Sequence, residues 1–232
     1  MRMLKSRLAR PHSSWPLAQL PGIPLGKARA RFFAENDFGV DGGYEAPHQD
    51  AVLAGIPYRT PNPPARAAAL RRHDLHHLLT GYQTDWRGEA RISAWELGSG
   101  GPGAVLYAWT IALWGLFTGL VGDPLGSLRA FVRGRGSDNL FSHDTDEALM
   151  QRSVAAIGRA LQVRVRAPAG AVWHATVPVG QRALDVVAFG AWSACAVAYV
   201  TLAMPGILLL ALSGILARTR AARCPRVRLG LS

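Results

Sequence analysis

Three of the seven histidines in this chain, His73, His76 and His77, fall within five positions, with Asp74 among them and Glu89 and Glu96 downstream. Each residue of an α-helix advances about 100° around the axis. With His73 as origin, His77 lies at roughly 40° and Asp74 at roughly 100°, so two imidazoles and a carboxylate share one face. Leu75, Leu78 and Leu79 lie opposite, between roughly 140° and 240°, where a core would take them. His76 sits at the edge of the polar face. Glu89 falls in the first turn of a second helix, and an antiparallel hairpin would bring it back over that face. Two histidines with two carboxylates suit a divalent metal ion of intermediate softness: zinc, iron or manganese. The i, i+4 histidine pair is the spacing of helical zinc proteases, but the glutamate those enzymes carry between the histidines is absent. The competing reading is a solvated polar helix surface, and spacing alone leaves both open.

The flanking residues say which elements must position this cluster. Asn62 and Pro63–Pro64 can open a helix that runs to about Thr80, with Gly81 as its stop. Thr84 or Asp85 can cap a second helix over 85–97, and "GSGGPG" ends it. Glu96, seven residues after Glu89, falls on the same side of that helix. Glu96 and His76 are the candidate catalytic groups, as orienters of the ligands or proton carriers, against the alternative that both are solvated. His143, Asp144 and Asp146 form a second polar group, read as a loop leading into an amphipathic helix over 147–162. Residues 1–62 read mostly as loop with one helical turn near 27–33, and 163–180 as irregular or briefly extended.

The pattern His73-Asp74-x-x-His77 followed after eleven residues by Glu89 resembles the signature of the coenzyme Q (ubiquinone) biosynthesis protein 4 family. "LTGY", the "GE" at 88–89, "WELG" and the upstream "DGGY" and "RTPNPPAR" are also similar to bacterial members, and the resemblance covers roughly residues 35–165. It implies a mainly helical, membrane-associated protein with one metal ion at His73, Asp74, His77 and Glu89. A prenyl chain would be held between helices, here against Trp109, Trp114 and Phe117. The implied substrate is a prenylated quinone precursor whose ring carboxyl at C1 is replaced by hydroxyl. The implied alternative is a scaffold that organises other quinone-biosynthesis enzymes. This chain departs from the family at His76 and in the long apolar run beyond residue 185, which extends past the family core.

The basic composition could serve anionic lipid, an anionic substrate or nucleic acid. The chain has 232 residues, a formal net charge of +11, and only two lysines, Lys5 and Lys27, among its 26 basic residues. Mean hydropathy is +0.10, high for a soluble protein. No RNP-like, zinc-finger or helix-turn-helix signal accompanies the charge, so no nucleic acid is expected. Cys195 and Cys224 lack metal-ligand spacing and do not make a disulfide scaffold. The basic N-terminus reads as a frayed end, loosely similar to an organellar transit peptide. Residues 104–122 are apolar and uncharged, with Gly115 and Gly119 in a GxxxG spacing. They read either as a membrane span or, as the resemblance favours, as a central buried helix. Residues 186–217 carry no charge over 32 positions, and five arginines follow. Pro205-Gly206 divides this run, which fits a kinked span or a hairpin inserted from the cytoplasmic side; the hairpin is favoured because it keeps the metal domain and the arginines on one side.

The expected fold class is therefore mainly α: a helical domain built around a metal-site hairpin and a buried apolar helix, with a C-terminal membrane segment. The expected divisions are a basic loop-rich segment (1–34), a metal and lipid-binding domain (35–166), a linker (167–183), a hydrophobic segment (184–217) and an Arg-rich tail (218–232). Membrane lipid and a second copy of the chain are the expected partners. The expected location is the cytoplasmic face of a bacterial inner membrane, or an organellar inner membrane in a eukaryote. An HD-type phosphohydrolase is set aside for want of further separated ligands.

Overall fold

The computed structural model describes residues 22–53, 56–163 and 179–223. Among them are eight α-helices and one two-stranded antiparallel sheet, so the fold is mainly helical as the sequence predicts. The helices are α1 (Leu25–Asn36), α2 (Pro64–Thr80), α3 (Trp86–Gly98), α4 (Leu106–Gly122), α5 (Pro124–Gly134), α6 (Glu147–Gln151), α7 (Val154–Ala160) and α8 (Val179–Arg223). Strands β1 (His48–Leu53) and β2 (Ile56–Pro61) pair from His48 opposite Pro61 to Leu53 opposite Ile56.

The predicted hairpin forms close to its expected bounds. Pro63 precedes α2, Pro64 fills its first turn, and Gly81 ends it at φ 73°, a left-handed conformation that glycine adopts without strain. Asp85 caps α3, accepting the Gly88 amide at 2.6 Å. Asn62 has a different task from the one its position suggested. Its side-chain amide donates to the carbonyls of Gly43, Tyr44 and Ala46, pinning that loop beside α2.

Helix α3 is the centre of the domain, with α4 on one side and α5 on another. Ile92, Ala94 and Trp95 are fully buried there with Leu116, Ala130 and Phe131. The GxxxG pair serves this packing: a side chain at Gly115 would strike Ser93 of α3, and one at Gly119 would strike Ser127 of α5. Ala108, Ala112, Gly115, Leu116 and Gly119 form the buried stripe of α4, so this helix is a core element of the domain.

Three expectations are corrected. The helical turn expected near 27–33 in a loop-rich segment is part of a longer helix, α1, whose Leu25, Ala28, Phe32 and Phe33 are buried in a second cluster with Leu75, Leu78 and Leu79 of α2. Residues 1–21 lie outside the described part. The helix expected over 147–162 is two helices. Arg152 and Val154 exchange backbone hydrogen bonds with Leu25 and Ile23 instead of continuing the helix, and Ser153 starts α7 by accepting the Ala156 amide. The favoured membrane hairpin is also absent. Helix α8 continues through Pro205 for 45 residues. A proline removes one i to i−4 hydrogen bond, and the rest of a long apolar helix can carry that loss. Much of the linker expected over 167–183 lies outside the described residues.

The first part of α8 lies along α4 and α5: Ala196 and Val200 are buried, and Trp192 stacks on Trp109 with ring centroids 5.4 Å apart. The stretch Gly180–Ala203 is long and apolar enough to cross a membrane by length and composition. Leu184, Val187, Leu202 and Leu209 are among its exposed or following apolar side chains.

Candidate metal centre

The second half of α2 is buried on both sides. Leu75, Leu78 and Leu79 enter the core with α1, and His73, His76 and His77 are buried toward α3, with 3%, 0% and 3% of their surfaces exposed. A solvated histidine face is thereby ruled out.

His73, His77 and Glu89 bring one ligand atom each to within 4.8 Å of one another. His73 Nε2 lies 3.1 Å from Glu89 Oε2, and His77 Nε2 lies 3.6 Å from Glu89 Oε1. Donors about 2.0–2.1 Å from a zinc ion at tetrahedral angles stand about 3.3 Å apart, so these separations suit a shared ion. The remaining ring nitrogens are held from behind. His77 Nδ1 donates to the Tyr82 carbonyl at 2.9 Å, which in a neutral ring leaves a lone pair on Nε2. That Nε2 is buried and has no hydrogen-bond partner. It faces a carboxylate oxygen that also only accepts. A lone pair opposing a carboxylate inside a protein is unfavourable unless a cation or proton lies between them. The three donors therefore fit a divalent metal ion.

Glu89 lies in the first turn of α3, where the helix dipole favours negative charge. Its side chain is 43% exposed, so the cluster opens toward solvent on this side. Partial burial pushes the Glu89 carboxyl up, but the imidazoles outweigh it and hold it well below its ordinary value. Burial opposes a charge on His73, yet Glu96 and Glu89 outweigh that and raise its pKa well above the usual histidine range.

Asp74, expected as a fourth ligand, is not in this group. Its Oδ2 accepts the Tyr44 hydroxyl at 2.7 Å. At roughly 100° from His73 it points to the flank of the helix, where the loop pinned by Asn62 supplies Tyr44. The two carboxylates that do meet His73 are Glu89 and Glu96, on one side of α3 as their spacing predicts. Glu96 Oε1 lies 2.9 Å from His73 Nδ1 and 2.7 Å from His76 Nδ1. Glu96 and His76 are both fully buried, so the alternative of solvated positions fails. Burial raises the Glu96 pKa and the histidines, His73 foremost, pull it down to about 2. His76 adds no ligand. Its Nδ1 faces Glu96 and its Nε2 accepts the Leu140 amide at 2.8 Å.

Sequence reasoning missed Phe32, which stacks on the His77 ring at 6.0 Å, and Tyr44. It also missed the Tyr82 carbonyl and the Leu140 amide, which are backbone groups and leave no mark in residue type. Of the residues expected to hold lipid, Trp109 stacks on Trp192 and donates its indole N–H to the Gly103 carbonyl. Trp114 and Phe117 pair at 6.4 Å, and all three are half-buried on α4. His143 is exposed, and Asp146 caps α6 through the Leu149 amide, as expected of a loop leading into a helix.

No protein-family model, curated protein or solved structure matches the chain.

Proposed function

We propose that this chain holds one divalent metal ion at His73, His77 and Glu89 and acts at a membrane on a prenylated aromatic acid in quinone biosynthesis. The observation that carries the metal reading is the buried, unpartnered His77 Nε2 opposite Glu89 Oε1. The lipid and quinone part rests on the resemblance of the sequence motif and on a helix apolar enough to enter a bilayer.

Two histidines and one carboxylate with open positions are the donor set of non-haem iron(II) oxygenases, so iron(II) is the metal this set favours. When bound, the metal supplies charge stabilisation and, as iron, a place for dioxygen chemistry. The chain's own groups do the rest. Tyr82 and Glu96 hold the imidazole N–H groups away from the opening. Phe32 covers one face of His77 and keeps water from it. Half-buried Glu89 marks the side from which a substrate carboxylate arrives. The reaction that fits replaces the ring carboxyl by hydroxyl: the C1–carboxyl bond breaks and leaves as carbon dioxide. A C1–oxygen bond forms with one oxygen atom of dioxygen, and a two-electron donor and two protons carry the other to water.

The test is detergent-purified, iron-loaded protein incubated with a prenylated 4-hydroxybenzoate and dioxygen, read as carbon dioxide and ring-hydroxylated product. Product formation that Glu89→Gln lowers at least 100-fold supports the enzyme. Metal and lipid bound without turnover would support the alternative, a non-catalytic lipid-presenting scaffold. The half-buried row of Trp109, Trp114 and Phe117 suits that role equally well.

A further inference from the structure

We propose that Glu96 is the positioning residue of the metal centre: its Oε1, shared by His73 and His76, fixes His73 in the tautomer that turns Nε2 toward His77 and Glu89. The proposal rests on the metal reading above and deepens it.

The directions of the hydrogen bonds that link Leu140, His76, Glu96 and His73 follow from one backbone amide. The Leu140 N–H can only donate, and it meets His76 Nε2 at 2.8 Å. His76 Nε2 must therefore present its lone pair. The proton of this neutral imidazole then sits on Nδ1 and is donated to Glu96 Oε1 at 2.7 Å. Glu96 already accepts there and has no proton to offer His73. His73 Nδ1, 2.9 Å from the same oxygen, must donate as well. The alternative tautomer would set a lone pair against a carboxylate with both groups buried. Only His73 Nε2 is left for a cation.

The start of this relay is itself anchored. Asn139 accepts the Phe141 amide and donates to the Ser99 carbonyl, the Ser99 hydroxyl and the Gly101 carbonyl, at the end of α3. The turn at Leu140–Ser142 is thus tied to the helix that carries Glu96 and Glu89. His76, between the two metal-binding histidines in sequence, serves as the clamp on Glu96. A carboxylate behind a ligating histidine raises its basicity and fixes its ring, and losing one costs about 10–100-fold in metal affinity.

The experiment is long-range 15N–1H NMR of the imidazoles in zinc-loaded protein, beside zinc titrations of wild type, Glu96→Gln and Glu96→Ala. The expected result is protonated Nδ1 on both His73 and His76 in wild type. Zinc affinity should fall about 10–100-fold in Glu96→Gln. The His73 Nδ1 proton should also shift upfield in this variant as its bond to oxygen weakens. A helix-packing role alone would not move that signal. Where a variant does not fold, by far-UV circular dichroism, the wild-type tautomers decide. A proton on Nε2 of either histidine, or undiminished zinc affinity in Glu96→Gln, overturns the proposal alone. Absence of zinc from the wild type sinks the metal reading, and this proposal with it.

Discussion

His77 Nε2 and Glu89 Oε1 face each other at 3.6 Å, with no hydrogen-bond partner on that buried nitrogen, while His77 Nδ1 donates to the Tyr82 carbonyl. The metal reading and the predictions about it follow from this pair and from its neighbour His73.

Asp74 separates the geometric site from the sequence motif. Tyr44 donates to it at 2.7 Å, so Asp74 ties the loop before β1 to α2. Asp74→Ala should lower unfolding free energy by about 1.5–3 kcal/mol, the range for hydrogen bonds to charged groups. It should leave metal per chain unchanged. Tyr44→Phe should destabilise in the same direction. A folded Asp74→Ala protein that has lost its metal would restore Asp74 as a ligand.

Metal uptake should release a proton. Without metal, the raised pKa of His73 keeps it charged at neutral pH, and its Nε2 must lose that proton to ligate. Affinity should therefore rise with pH through the folded-state pKa of His73. The sign for stability of the metal-free protein is the reverse. The His73 contribution is complete below about pH 6.5 and fades as pH rises through the raised value. The Glu96 contribution is present above its ordinary value of 4.5 and is lost as pH falls toward about 2. Calorimetric titration with zinc in two buffers of different ionisation enthalpy checks the release. Heats that do not depend on the buffer would contradict it.

Much of the site was legible because helical spacing is local. The His73 and His77 pair, the return of Glu89 and the common side of Glu89 and Glu96 all follow from turns of about 100°. The burial of Glu96 and His76 was not legible, since polar residues ordinarily sit outside. They are inside because α3 is covered on several sides and the Leu140 amide supplies the last partner, 64 positions away from His76. The same limit hid the full length of α1. Only a turn near 27–33 was legible, and contact with Leu75, Leu78 and Leu79 of α2 extends it into a core helix. The break between α6 and α7 comes from backbone pairing with Ile23 and Leu25, which no residue pattern announces. Pro205 misled in the other direction, since a proline signal is weak within an apolar helix of this length.

Helix α8 should bind the bilayer through side chains that the domain leaves bare. Val197 and Leu202 are 47% and 81% exposed and lie within Gly180–Ala203. Charge in the middle of a membrane helix costs about 2.5–3.5 kcal/mol per residue. Val197→Glu with Leu202→Glu should abolish flotation of the protein with liposomes while far-UV helicity stays. Flotation at the wild-type level would show that this part of α8 does not enter the lipid.

The central claim is tested most directly by elemental analysis of detergent-purified protein, wild type beside His77→Ala. About one equivalent of iron, manganese or zinc per chain in the wild type, lost in the variant while the fold persists, is the result expected of a site with three donors. A wild type that takes up no metal even after reloading, or a folded His77→Ala protein that keeps its full equivalent, would contradict the account.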